Sequence, residues 1–182
     1  MGERPPYLPG DPVPADEVGP AIRVDHAGEY GAVRIYDGQL AVLGRGRARD
    51  EIRRMAEQEK RHLAAFDALV AERRVRPTAL QPLWHIAGYA LGAATALLGE
   101  RAAMACTVAV EEVIDEHYRA QAERLAAIDP ALVATIEEFR ADELRHRDTA
   151  LDHGAAAAPG YELISAVVKT GSRLAIWLST RI

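Results

Sequence analysis

At residues 141–148 the chain reads ADELRHRD, in which Glu143 and His146 are three residues apart. The same Glu-x-x-His spacing recurs at Glu59 and His62, within EQEKRHLAAF at 57–66. Side chains three residues apart lie on one face of an α-helix, so each motif presents a carboxylate and an imidazole together. A single Glu-x-x-His is common on helix surfaces. Its meaning therefore depends on the helices around it.

The composition favours a helical fold. The chain has 182 residues, 49% of them hydrophobic, with Ala, Leu, Glu and Arg abundant over long stretches free of proline. No strand pattern is convincing, which predicts an all-α bundle. Apolar periodicity places its six helices at about 20–44, 47–74, 77–99, 101–128, 130–153 and 161–182.

The N-terminal segment and the net charge limit the classes of protein to which the chain can belong. Residues 1–19 are rich in proline and acidic residues and resemble neither a signal peptide nor a transit peptide, so we expect a mobile arm before a single domain at 20–182. The net charge of −5 gives no electrostatic reason to expect nucleic acid as a partner. Cys106, the single cysteine, suits a reducing compartment.

The chain also contains an internal repeat. Glu29 precedes Glu59 by about 30 residues, and Glu111 precedes Glu143 at a similar distance. Both leading glutamates have a tyrosine seven residues later. The pattern predicts two copies of a helix-helix-helix unit, at about 20–99 and 101–182.

The faces of these helices decide between a surface and a core motif. Glu59 and His62 fall in the apolar stripe of the second predicted helix, and Glu143 and His146 fall in that of the fifth. Glutamates occupy the same kind of stripe on the first and fourth helices. Four carboxylates in an apolar interior would be strongly unfavourable without compensating positive charge.

A pair of divalent metal ions would supply four positive charges, which balance the four carboxylates. Two helices that each supply one Glu, and two that each supply Glu-x-x-His, form a known two-metal arrangement in bundle cores. Mixed carboxylate and imidazole ligands with open positions favour iron or manganese, and we expect iron. Glu112 competes with Glu111, but it lies on a more polar face, so Glu111 is preferred. His26, His85 and His153 are not assigned as ligands.

Several long stretches resemble the demethoxyubiquinone hydroxylases, the di-iron monooxygenases of ubiquinone biosynthesis. The similarity covers about residues 20–182. The stretches that carry it are RVDHAGEYGAVRIYDGQ at 23–39, EQEKRHLAAF at 57–66, AMACTVAVEE at 103–112, HY at 117–118, FRADELRHRDTALDH at 139–153 and SRLAIWLSTRI at 172–182.

The resemblance implies a ferritin-like four-helix di-iron bundle with two additional helices. It places the iron ligands at the six positions that the stripes select, namely Glu29, Glu59, His62, Glu111, Glu143 and His146. It also implies that Asp142 orients His62 and that Gln58 orients His146. Tyr118 and His117 become candidates for hydrogen bonding near the metals or for proton and electron delivery.

The implied reaction is hydroxylation of a polyprenyl benzoquinol ring that lacks one oxygen, with O2 as co-substrate. Because the chain has neither a nucleotide-binding glycine motif nor a cysteine cluster, the reductant is expected to be external or to act through the quinone. The resemblance also implies other ubiquinone-biosynthesis proteins as partners, and it leaves a homo-oligomer open. The alternatives are a ferritin-like iron-oxidising protein without an organic substrate and a metal-free lipid carrier.

The third and sixth predicted helices favour contact with a membrane. Residues 77–99 contain no charged residue, whereas 161–182 is amphipathic. On the sixth helix Lys169, Arg173, Trp177 and Leu178 are the candidate interfacial residues. We expect both helices to lie on or dip into one leaflet, with the protein peripheral on the cytoplasmic face of a bacterial inner membrane.

Overall fold

The computed structural model describes residues 15–182, so most of the predicted N-terminal arm lies outside the described residues. Within that range the chain forms six α-helices and a short 3-10 turn, and no strand. Their bounds are α1 Ala15–Val42, α2 Arg47–Glu72, α3 Gln81–Leu97, α4 Glu100–Leu125, α5 Pro130–Asp152, the 3-10 turn Ala155–Ala157 and α6 Tyr161–Ser179. The all-α prediction is confirmed.

Two predicted helix starts were wrong, because α3 begins at Gln81 and not at residue 77, and the start of α1 also differs. Helix α1 begins at Ala15, ahead of the predicted start near Pro20, and runs through that proline. Proline is favoured near the beginning of a helix, so Pro20 suggested a helix start and not a helix that extends in front of it. Elsewhere local signals agree with the structure. The Asp129 side chain caps α5 by accepting a hydrogen bond from the Leu132 backbone N–H, directly before Pro130.

Helices α1, α2, α4 and α5 form the central bundle, and its core has two apolar ends. One end contains Tyr36, Ile52 and Met104, and the other contains Phe66 and Ile136. The candidate ligands occupy the layer between them, as described below.

Helix α3 packs against α1 through glycines. A Cβ atom at Gly92 would overlap the carbonyl oxygen of Ile35, and one at Gly38 would overlap the carbonyl oxygen of Tyr89. The two backbones are therefore in direct contact, as small residues allow. Gly88 meets Gly31 one turn before Gly92 meets Ile35, so α3 runs in the same direction as α1.

Helix α6 packs against α4 and leaves a gap between itself and α3. The gap is an apolar groove of about 310 Å3, walled by α3 and α6 and floored by α1 and α4; we refer to it as the α3/α6 groove. The Trp84 indole N–H donates to Ser179 Oγ at 2.9 Å and links the start of α3 to the end of α6. Within residues 15–182, no helix combines the length and the apolarity needed to cross a bilayer.

Candidate metal centre

Each helix of the central bundle delivers its predicted ligands to one buried layer. Helices α1 and α4 each provide one glutamate, and α2 and α5 each provide a glutamate and a histidine. All six side chains belong to residues that are at most 2% exposed. The six residues are Glu29, Glu59, His62, Glu111, Glu143 and His146.

These side chains form two groups that overlap. Glu29 and His62 belong to one group, and Glu111 and His146 belong to the other. Glu59 and Glu143 belong to both, and the ligand atoms of each group lie within 4.8 Å of one another. The geometry suits two neighbouring metal ions, with the carboxylates of Glu59 and Glu143 between them.

The contacts inside the layer suit bound cations. His62 Nδ1 lies 3.1 Å from Glu143 Oε1, and His146 Nδ1 lies 3.0 Å from Glu59 Oε1. A metal bound at about 2.1 Å by each ligand places adjacent ligand atoms about 3 Å apart. Several oxygens here are buried without a hydrogen-bond partner, including both oxygens of Glu59. The residues therefore fit a pair of metal ions.

Both imidazoles are held from their outer nitrogen. His62 Nε2 lies 3.0 Å from Asp142 Oδ2, and His146 Nε2 lies 3.2 Å from Gln58 Oε1. A proton on Nε2 that is donated to these oxygens leaves the Nδ1 lone pair facing the carboxylates. Asp142 and Gln58 thus occupy the positions that the resemblance implied, one charged and the other neutral.

Two tyrosines connect the halves of the bundle. Tyr118 on α4 donates a short hydrogen bond to Glu29 on α1. Tyr36 on α1 donates to Glu111 on α4 at 2.9 Å. The family resemblance implied a role for Tyr118 and none for Tyr36, although the repeated spacing between glutamate and tyrosine contained the signal for both.

A second polar group lies beside Tyr118. His117 Nε2 is 3.0 Å from Asp25 Oδ1, and the Gln121 amide donates to Asp25 Oδ2 at 2.8 Å. Burial is the main cause that raises the pKa of Asp25, and the contact with His117 opposes it. Sequence reasoning did not identify Asp25 and Gln121 as partners of His117.

Burial also dominates the acid-base properties of the ligands. It raises the pKa of Glu59 and Glu111 well above the ordinary range, and the nearby carboxylate of Glu143 raises both further. Burial likewise raises the pKa of Glu143. For His62, burial lowers the pKa, but the glutamates around it outweigh that effect and raise the pKa to about 9. Burial lowers the pKa of His146.

The remaining candidates lie outside this layer. Glu112 is part-exposed and pairs with Lys169 at 2.5 Å, so Glu111 is the α4 glutamate in the metal layer. His26 contacts Asp67 at 2.9 Å. His85 contacts the Tyr30 hydroxyl, and His153 lies 3.9 Å from Glu51.

The four predicted interfacial residues of α6 divide into two kinds. Lys169 and Arg173 face α4, where they pair with Glu112 and Glu116. Trp177 is exposed and Leu178 is half-buried. Periodicity places all four on one helix but does not show which neighbouring helix offers an acidic partner.

Comparison with known proteins agrees with this site. The family model described as "Ubiquinone biosynthesis protein COQ7" matches residues 16–179. A 3-demethoxyubiquinol 3-hydroxylase of Rhodospirillum rubrum is 58% identical over 176 residues, which are 96% of this chain and 83% of that protein.

Two mitochondrial proteins, both named NADPH-dependent 3-demethoxyubiquinone 3-hydroxylase, are also similar. The mouse protein is 55% identical over 164 residues, and the human protein is 53% identical over 165 residues. In both comparisons the alignment covers 88% of this chain and 76% of the relative.

The two adjacent glutamates of α4 provide a matched test of the centre. Glu111→Gln should reduce Fe(II) binding from two ions per chain to one or fewer, because it removes a charged ligand from one group. Glu112→Gln should leave binding unchanged, since it alters only the pair with Lys169. Anaerobic Fe(II) titration with metal analysis measures both, and the reverse ranking would contradict the assignment of Glu111.

The metal-free protein should lose stability as the pH rises from about 6.5 to 9. A pKa raised by folding adds stability at low pH, and that stability is lost as pH rises through the folded value. This applies to Glu59, Glu111 and Glu143, whose pKa values are raised, and to His62, whose folded pKa is about 9. Folding lowers the pKa of His146, so this residue affects stability only at pH values below the ordinary pKa of histidine. We expect a loss of about 1–3 kcal/mol by urea unfolding.

Two controls accompany this pH series. Glu143→Gln should flatten the dependence, because one of the repelling carboxylates is gone. Glu123→Gln, on the exposed surface of α4, should leave it intact. Equal stability of the metal-free protein at pH 6.5 and 9 would show that the carboxylates do not repel each other as described.

Proposed function

This chain belongs to the family of the ubiquinone biosynthesis protein COQ7, and we propose that it is a monooxygenase that hydroxylates the ring of a demethoxyubiquinol. One observation carries the proposal: four carboxylates and two imidazoles meet in a buried layer as two overlapping groups. Relatives more than 50% identical are named for hydroxylation of demethoxyubiquinol or demethoxyubiquinone. The function therefore agrees with both the site and the family.

We propose that the layer holds two iron ions. When bound, such a pair supplies the binding and reduction of O2. One oxygen atom enters the ring and the other leaves as water, which consumes a pair of electrons and a pair of protons. We propose an external reductant, in agreement with the NADPH dependence stated in the names of the mitochondrial relatives.

The protein residues have distinct proposed tasks. Glu59 and Glu143 would help to hold both irons, since they belong to both groups. Asp142 and Gln58 would fix the tautomers of the ligating imidazoles by accepting the Nε2 proton. Because only Asp142 is an acid, the two metal positions would differ in electron density.

Tyr118 and His117 would act next to the Glu29 side of the centre. Tyr118 holds Glu29 by a hydrogen bond, which fixes the orientation of the carboxylate. His117 also lines a cavity of about 640 Å3 that includes Arg124 and Arg173. It is therefore placed to exchange protons between water and the interior through Asp25.

We propose that the quinol ring binds in the α3/α6 groove. The floor of the groove includes Gly28 and Val110, which immediately precede Glu29 and Glu111. Its lining is almost entirely apolar, as an aromatic ring with a hydrocarbon tail requires. One end of the groove is closed by the contact between Trp84 and Ser179, so the tail would leave toward the opposite end.

The outer surfaces of α3 and α6 support a peripheral position on a membrane. Ile86 and Leu97 on α3 are 68% and 74% exposed, and Leu163 on α6 is 69% exposed. Val167, Leu174 and Trp177 continue the same exposed face of α6. The groove lies between these two helices, so a tail that leaves it meets apolar surface on both sides. For a bacterial protein, we propose the cytoplasmic face of the inner membrane.

The ferritin-like alternative without an organic substrate is less well supported. A protein that only oxidises iron requires no apolar groove next to the metal layer, whereas this chain has one. The relatives described above are named as hydroxylases.

Hydroxylation can be tested directly with labelled oxygen. Protein loaded anaerobically with Fe(II) receives a short-tailed demethoxyubiquinol and 18O2, together with a chemical reductant. We expect the product to gain one 18O atom by mass spectrometry. Glu143→Gln should reduce turnover at least 100-fold, because it removes a carboxylate that belongs to both metal groups.

The exposed Glu123→Gln variant is the control and should retain wild-type turnover. Consumption of O2 by the wild type with no labelled quinol would support the iron-oxidising alternative and reject the hydroxylase.

Membrane binding should depend on the exposed apolar residues of α3 and α6. The triple variant Ile86→Ser, Val167→Ser and Trp177→Ser, which leaves the lining of the α3/α6 groove unchanged, should lose flotation with liposomes of phosphatidylethanolamine and phosphatidylglycerol. Each replacement removes insertion energy of about 1–2 kcal/mol. The matched control is Ile128→Ser with Leu151→Ser, which alters exposed apolar residues on other parts of the surface.

The control should float like the wild type, and the triple variant should still hydroxylate the short-tailed substrate. Lys169→Gln should have little effect on flotation, because its charge is already paired with Glu112. Undiminished flotation of the triple variant would remove these faces from the proposed membrane contact.

A further inference from the structure

Glycine is a poor helix former, so each glycine inside a helix invites a local explanation. Within residues 15–182, helix interiors contain seven glycines. They are Gly19, Gly28, Gly31, Gly38, Gly88, Gly92 and Gly171.

Close packing accounts for three of them. Side chains at Gly38, Gly88 and Gly92 would collide with the backbone of the helix opposite, in the contact between α1 and α3. At these positions the fold itself requires the absence of a side chain. Replacement with alanine would force the two helices apart.

The other four glycines meet no such restriction. A Cβ atom at Gly19, Gly28, Gly31 or Gly171 would have no heavy atom within 4 Å. Alanine at these positions would therefore favour the helix without steric cost. Packing within the chain gives no reason for glycine there.

Three of these four unexplained glycines border the same space. Gly28 and Gly31 lie on the α1 floor of the α3/α6 groove, and Gly171 lies on its α6 wall. Gly19 does not border it. The remaining α1 residues on the floor are Ala27, Ala32 and the larger Val24 and Ile35.

The groove is an independent observation that indicates a ligand. Its volume of about 310 Å3 lies at the lower end of the range of about 300–1,000 Å3 for small-molecule sites. Gly28 directly precedes the metal-layer residue Glu29, so the bare backbone lies where a ring would approach the centre. A flat ring needs a slot bordered by atoms that do not project into it.

We propose that Gly28, Gly31 and Gly171 determine the specificity of the groove by keeping it wide enough for a substituted quinone ring. Larger side chains at these positions would fill the slot and exclude the ring while preserving the helices and the metal layer. This inference rests on the proposed function, because it takes the quinol as the occupant of the groove.

Binding can be measured without metal and without turnover. The chain contains two tryptophans, and Trp84 lines the groove. In a Trp177→Phe parent, Trp84 is the sole indole, and a short-tailed demethoxyubiquinone that enters the groove should quench its fluorescence. Isothermal titration calorimetry supplies the dissociation constant without that reporter.

Gly171→Leu and Gly31→Leu in this parent should each weaken quinone binding at least tenfold. Gly19→Leu is the matched control, because it adds the same side chain at an open helix position outside the groove, and it should change the constant less than twofold. The Gly171→Ala and Gly31→Ala variants should melt at or above the parent temperature and bind with an intermediate constant. Fe(II) content should stay at two ions per chain in all variants.

The outcomes separate the two proposals. A parent that binds the quinone, with leucine variants that bind equally well, overturns the glycine inference and leaves the proposed function intact. Equal loss of binding in Gly19→Leu also overturns it. A parent that neither binds nor hydroxylates the quinone contradicts the proposed function itself. Should a leucine variant fail to fold, unchanged binding in the alanine variant at the same position overturns the inference there.

Discussion

Electrostatic repulsion among four buried glutamates is the constraint on which the structure of this protein depends. Glu29, Glu59, Glu111 and Glu143 meet in one layer, where burial and mutual proximity disfavour the ionised state of most of them. A metal-free chain must hold protons there, whereas two divalent ions would balance the charge. The least favourable grouping of charges in the bundle therefore lies where two bound metal ions would stabilise the fold most. Metal occupancy and folding stability would thus be linked.

The two halves of the chain contribute similar parts but do not form equivalent surroundings. Tyr36 and Tyr118 make matching hydrogen bonds across the bundle. By contrast, α3 lies directly on the α1 backbone, while α6 leaves a groove beside α1. The metal layer can remain nearly symmetric because it is set by four long helices. The asymmetry lies in the outer helices, which decide where a substrate can enter.

The sequence predicted well which acidic side chains lie in the buried layer, because burial and periodicity act on the same residues. A glutamate in an apolar stripe, such as Glu111, must face the core, and the polar face around Glu112 excludes that neighbour. The partners of Lys169 and Arg173 were not predictable in this way, since a basic residue at the edge of an amphipathic helix suits a lipid surface and an adjacent acidic helix equally. Tertiary packing places both basic residues against acidic residues of α4. The α3/α6 groove could not be predicted from the sequence either, because its existence depends on the distance between helices.

The groove and the charged layer impose opposite demands that the fold satisfies within one helix. Along α1, Glu29 faces the metal layer, while Gly28 and Gly31 border the apolar groove. A helix turns by about 100° per residue, so adjacent positions can serve a polar centre and an apolar ligand without any loop between them. Because regular backbone hydrogen bonds hold both surfaces, the helix itself would fix the distance between a ring in the groove and a metal held by Glu29. Under the proposed function, a substrate that is insoluble in water would then meet a highly charged centre from the apolar side.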